Sequence, residues 1–76
     1  MDIRRQVGLN VRRFRRARGW SQEALAFESK LHRTYVSGVE RGVRNPTVTV
    51  VAELAAALQV GPHQLLEPLA ADPANP

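Results

Sequence analysis

Apolar residues in this chain recur three and four positions apart, and each such run is soon cut off by glycine, proline or a capping side chain. Val7, Val11 and Phe14 follow that spacing, with Ile3 one turn earlier, the period of a helix with one buried face. Gly19 ends this first run as a glycine just past a helix does. Ser21 then caps a second helix, with Glu23 in its positively poled first turn. Leu25 and Ala26 face inward, and the helix stops near Lys30. A third helix runs from about His32 to Gly42 and buries Val36 and Val39. The stretch "GVRNPT" reads as a loop by its Gly, Asn and Pro. Thr47 caps a fourth helix whose stripe is Val48, Val51, Leu54, Ala55 and Leu58. Gly61-Pro62 opens a short fifth helix, with proline at its favoured first position, anchored by Leu65 and Leu66. No stretch alternates with the period of a strand, although Val48 to Val51 has some strand propensity. The predicted fold is therefore all-α: a compact bundle of five short helices around one small core.

Size and composition narrow the function. A chain of 76 residues makes one domain and buries only about 60–65% of its unfolded surface. It has no cysteine, so neither a disulfide framework nor a thiolate metal site is open to it. His32 and His63 stand alone and make no metal cluster. No apolar run approaches the ~18 residues of a membrane span. The basic N-terminus lacks the apolar segment of a signal peptide. The expectation is a cytoplasmic protein without metal or cofactor.

Charge is divided along the chain. All 11 Lys and Arg residues lie between Arg4 and Arg44, accompanied by four acids, Asp2, Glu23, Glu28 and Glu40; beyond Arg44 only the acids Glu53, Glu67 and Asp72 remain. A one-sided basic half suits a polyanionic partner. Charge alone leaves a solvated basic face equally open.

The stretch "HRTYVSGVERG", residues 32 to 42, carries more. It places Arg33, Thr34 and Ser37 on one side of a helix and Gly38 in the middle of it, where glycine costs roughly 1 kcal/mol against alanine. Two helices joined by a tight turn, the second rich in small polar and basic groups, have the layout of a helix-turn-helix. Gln22 to Ser29 would be its first helix and Arg33 to Arg41 the second, which enters the major groove. Arg33 can bond a guanine in bidentate fashion, while Thr34 and Ser37 can serve several bases. Gly38 then has two readings: it lets the helix approach DNA closely, as a further base-facing position, or it relieves crowding between helices.

Together, "N-V-R-x-F-R", "S-Q-E-x-L-A", "V-x-x-V-E-R-G", "N-P-T-V" and "L-A-x-A-L-x-V", in this order and spacing, resemble the Xre-type, lambda-repressor-like helix-turn-helix family over residues 7 to about 66. The stretch from Leu31 to Gly42 more narrowly resembles the controller proteins of restriction–modification systems, small stand-alone dimers that regulate their own operon. The resemblance implies a DNA-binding domain over residues 1–67, followed by a flexible tail over residues 68–76. It implies a transcriptional regulator that docks its third helix in the major groove of an operator, as a homodimer on an inverted repeat, with RNA polymerase as a possible further contact. By position, Arg33, Thr34, Ser37 and Gly38 would face bases. Gln22, His32, Tyr35, Arg41, Arg44 and Asn45 would meet the sugar–phosphate backbone. Arg15 and Glu40 match a buried ion pair between the first and third helices. Lys30 stands where glycine is common, and His32 where a Ser, Thr or Asp cap is usual; a phosphate contact and a merely tolerated cap both fit His32. Trp20 and Phe27 are expected to pack over the turn. Val50 is expected on the outward side of the fourth helix, either as an isolated exposed valine or, with Ala57 and Leu69, at a dimer interface.

An enzyme is not expected, because no nucleophile–base pair, paired carboxylates or metal spacing is present. The competing class is a protein–protein adaptor or antitoxin-like module on the same fold, which would need no reading face. The cluster of Arg33, Thr34, Ser37 and Arg44 argues for DNA. RNA is disfavoured by the lack of an exposed aromatic platform.

Overall fold

The computed structural model describes residues 2–68. Its elements are α1 (Ile3–Ala17), α2 (Gln22–Ser29), α3 (Arg33–Glu40), α4 (Val48–Leu58) and α5 (Pro62–Leu66), and no strand occurs among the described residues. The expected tail falls outside the described residues except for Pro68, as does Leu69.

Each helix starts where the chain supplies an acceptor for its unpaired N–H groups. The side chain of Asp2 accepts from the Arg4 amide, Ser21 from Ala24, and Thr47 from Val50, each satisfying one of the orphan donors of a first turn. Proline opens α5, where the Gly61 N–H donates to the Gln64 side chain at 2.8 Å. The ends are less uniform. Gly19 and Gly42 turn the chain with positive φ, but α2 and α4 end on Lys30 (φ 61°) and Gln59 (φ 59°). A residue with a Cβ loses about 1 kcal/mol or more in that conformation. Hydrogen bonds offset part of this: Leu31 N–H donates to the Ala26 carbonyl and Val60 N–H to that of Ala55, each at 3.0 Å, the wrap-around bond of a helix stop.

The core collects one face from every helix: Val7, Val11, Leu25, Ala26, Val36, Val39, Val51, Leu54, Ala55, Leu58 and Leu65. Phe14, Trp20, Leu31, Tyr35, Val50, Ala57 and Val60 pack around it. Five side chains depart from expectation. Val48 is 87% exposed, Ile3 52% and Leu66 47%. The apolar stripe of α4 overshoots the core at its first residue, leaving an open apolar cleft of about 320 Å³ lined in part by Ile3, Val48, Val51, Pro62 and Leu66. Val50, expected to face outward, is half-buried against the core. Phe27 does not pack over the turn; it is 82% exposed. Trp20 does pack, with the Arg18 guanidinium 4.4 Å above its ring.

Two residues of α1 that the sequence reading passed over fix how the bundle closes. Asn10 is fully buried and donates through Nδ2 to the carbonyls of Leu65 (2.9 Å) and Glu67 (2.8 Å). It ties α1 to the end of α5, where carbonyls have no helical partner. Gly8 sits where α1 crosses α3. A Cβ there would run into the backbone carbonyl oxygens of Val39 and Glu40. The two helices touch at this point because α1 carries no side chain there. Gly8→Ala should thus lower stability by about 1–3 kcal/mol despite alanine's better helix propensity, since neither carbonyl can swing aside. Thermal melting should show a drop of roughly 4–8 °C per kcal/mol in a domain of this size; a melting temperature at or above that of the parent would sink the close-approach argument.

Candidate nucleic-acid interface

The angle between α2 and α3 is held from behind by one carboxylate. Glu40, at the last position of α3, is 2% exposed. Arg15 of α1 grips it with a fork, Nε to Oε2 at 2.6 Å and Nη2 to Oε1 at 2.9 Å. The third guanidinium nitrogen of Arg15 donates to the Trp20 carbonyl at 2.8 Å, in the link between α1 and α2. Gln22, the first residue of α2, donates Nε2 to Glu40 Oε1 at 3.1 Å. Arg12, one turn before Arg15, lies 3.5 Å from the same oxygen. Burial alone would raise the Glu40 pKa. The hydrogen bonds from Arg15 and Gln22 and the charges of Arg15 and Arg12 outweigh it and hold the carboxyl below its ordinary 4.5. A buried charge of this kind is tolerable only when so fully satisfied.

In front of that anchor, Gln22, Arg33, Thr34 and Ser37 line a shallow cleft of about 170 Å³. The structure thus brings together the first residue of α2 and three of the residues expected to read bases. Arg33 and Thr34 are exposed and Ser37 is half-buried. Arg33 lies 3.7 Å from Glu23, with both side chains mostly in solvent, a pairing too weak to hold the guanidinium. One amide hydrogen of Gln22 is committed to Glu40, so its side chain reaches inward. His32 acts as the cap of α3, accepting from the Thr34 amide through Nδ1 at a long 3.4 Å. That geometry gives histidine a capping role at this position. Tyr35 is half-buried against the core, while Arg41, Arg44 and Asn45 are exposed. Gly38 faces the loop that follows α3. It is buried, and a Cβ on it would meet the side chain of Arg44; what covers this position is the chain's own arginine.

The mutual disposition of α2 and α3, with a three-residue turn and a polar outer face on the second helix, is that of a helix-turn-helix. Residues 11–65 match the family model described as Helix-turn-helix. The chain belongs to the helix-turn-helix family of DNA-binding transcriptional regulators. It is 46% identical over 68 residues to the uncharacterized HTH-type transcriptional regulator y4dJ of Sinorhizobium fredii, covering 90% of this chain and 88% of that protein. The restriction–modification controller protein C.AhdI from Aeromonas hydrophila has a similar structure, with a TM-score of 0.79 and 47% identity over 82% of this chain and 94% of the other. So does the controller protein C.Esp1396I, seen as a tetramer in complex with its natural 35 base-pair operator, with a TM-score of 0.76 and 29% identity over 88% and 99% of the two chains. Among the described residues of this family member, no helix is long and apolar enough to cross a membrane.

Glu40 gives the interface a pH signature. Because its folded pKa lies below the ordinary 4.5, its contribution to stability is complete above that value and is lost as the pH falls through the lowered folded value. Urea unfolding from pH 7 down to pH 3 should therefore show stability declining below about pH 4.5. Glu40→Gln should cost on the order of 3 kcal/mol at pH 7, by stranding the Arg15 charge, and should flatten that acid decline. An unchanged acid limb in the variant would show that Glu40 is not the group responsible.

Proposed function

We propose that this regulator binds an inverted-repeat operator as a homodimer, each protomer laying the outer face of α3 in the major groove, and that it acts as a stand-alone controller of the kind found in restriction–modification systems. The cleft shared by Gln22, Arg33, Thr34 and Ser37 is the observation that carries this reading. It gathers at one exposed place a guanidinium that can span O6 and N7 of guanine and two hydroxyls that can donate or accept. We assign Arg41 and Asn45, both exposed, to backbone contacts, which position a helix without reading sequence. The extent of the likeness to C.AhdI, nearly the whole of that chain, supports the controller assignment. No catalytic step is assigned to the domain.

Arg33→Ala should weaken operator binding by about 1–3 kcal/mol and relax preference at one position of each half-site. Selection of preferred duplexes from a random pool by parent and variant tests this. If the variant selected the parent's consensus unaltered, α3 would not be reading DNA through Arg33.

For the homodimer, the fourth and fifth helices offer two sets of apolar residues. Val50 and Ala57 pack in part against the chain's own core, whereas Val48 and Leu66 stand exposed beside the apolar cleft. We assign the self-association surface to that end of α4 and α5. Helix-turn-helix dimers span half-sites roughly 34 Å apart. Sedimentation should show a dimer for the parent and a shift to monomer for Val48→Lys. A parent that stays monomeric at high micromolar concentration, free and on DNA, would remove the homodimer from the proposal.

A further inference from the structure

We propose that Gly38 is a seat for Arg44, fixing that arginine against α3 as a preformed arm for a DNA phosphate. The inference rests on α3 being the DNA-facing helix, and it assigns to Gly38 a positioning role distinct from base contact.

A Cβ built on Gly38 would lie 2.6 Å from Arg44 Cγ, 3.2 Å from Nε and 3.5 Å from Cδ. The stem of Arg44 therefore lies flat across the helix backbone, in the space a side chain would fill. The turn after α3 brings it there. Gly42 takes φ 75°, and the Val43 N–H donates back to the Gly38 carbonyl at 3.0 Å, so the chain folds over its own last turn and the next residue arrives beside Gly38. On the far side the Arg44 guanidinium carbon is 5.8 Å from the centre of the Tyr35 ring, within cation–π range. Tyr35 is itself held against the core. Gly38 forms the floor of the notch and Tyr35 its aromatic wall, while Arg44 as a whole remains exposed.

A free arginine side chain must give up its rotational freedom when it binds; one whose stem already lies in a notch has lost part of it beforehand. The ligand that suits a fixed guanidinium at the trailing end of a groove-bound helix is a backbone phosphate, which it can meet with two parallel N–H donors. This explains why α3 keeps a poor helix former at its centre.

The test is a double-mutant cycle with Gly38→Ala, Arg44→Ala and the pair, measured as anisotropy titrations against an operator duplex and a random duplex over a range of salt. Each single variant should weaken binding to both duplexes alike, on the order of tenfold. Arg44→Ala should also reduce the salt slope by about one counterion. Gly38→Ala should add less than twofold once Arg44 is gone. If Gly38→Ala kept parental affinity, or cost as much without Arg44 as with it, the seat would be disproved. Should Gly38→Ala lose the fold, the same cycle read in melting temperature decides: Arg44→Ala must restore it, and failure to do so overturns the proposal. A parent chain with no affinity and no salt slope on any duplex would instead overturn the DNA-binding reading on which the proposal stands.

Discussion

Everything on the outer face of this domain is referenced to the carboxylate of Glu40. It closes α3, yet its two oxygens are shared among Arg15 and Arg12 of α1 and Gln22 of α2. The remaining arm of Arg15 pins the Trp20 carbonyl and with it the approach to α2. Three helices thus meet at one ionised group. Apolar packing would hold them together but leave them free to slide; a forked ion pair with fixed donor directions does not. Such a pair adds less to stability than its Coulomb energy implies, because both charges must first be stripped of water. What it adds here is angle. The cleft of Gln22, Arg33, Thr34 and Ser37 has a defined shape because Gln22 and α3 hang from the same oxygens.

The parts of the fold legible in the sequence were those governed by local chemistry. Helix starts follow from Ser21, Thr47 and Pro62, whose roles need only a few neighbouring residues. The apolar stripes of α1 to α3 gave the core because their period is intrinsic to the helix. Where reading failed, the cause lay in which element sits opposite. Val48 obeys the stripe of α4 but has nothing beneath it; Phe27 was assigned a packing role that no neighbour supplies. Asn10 carried a signal that went unused, a polar residue at helical spacing between Val7 and Phe14, which on a buried face has to find partners. Gly8 carried one too, a glycine inside a helix seven residues before Arg15 and therefore on the same side, toward α3.

The interface divides in the same way. The residue types of α3 pointed to base edges, and Arg33, Thr34 and Ser37 come together with Gln22 along one outward-facing cleft. The interactions behind them were not legible. Nothing local says that Gln22 turns inward to a residue 18 positions away, or that Gly38 is covered by an arginine from the following loop. Both depend on how the chain returns on itself after leaving a helix, and that is decided by backbone turns with φ above zero rather than by side-chain pattern.

Two of those turns bear on how long a molecule of this protein lasts. Lys30 and Gln59 hold left-handed conformations that glycine would adopt without strain. At about 1 kcal/mol each, every such residue multiplies the unfolded population roughly fivefold. Proteases in a cell draw on that population. Neither residue lines the cleft of Gln22, Arg33, Thr34 and Ser37, so the rate at which this protein is cleared can be altered at its turns while that cleft stays as it is.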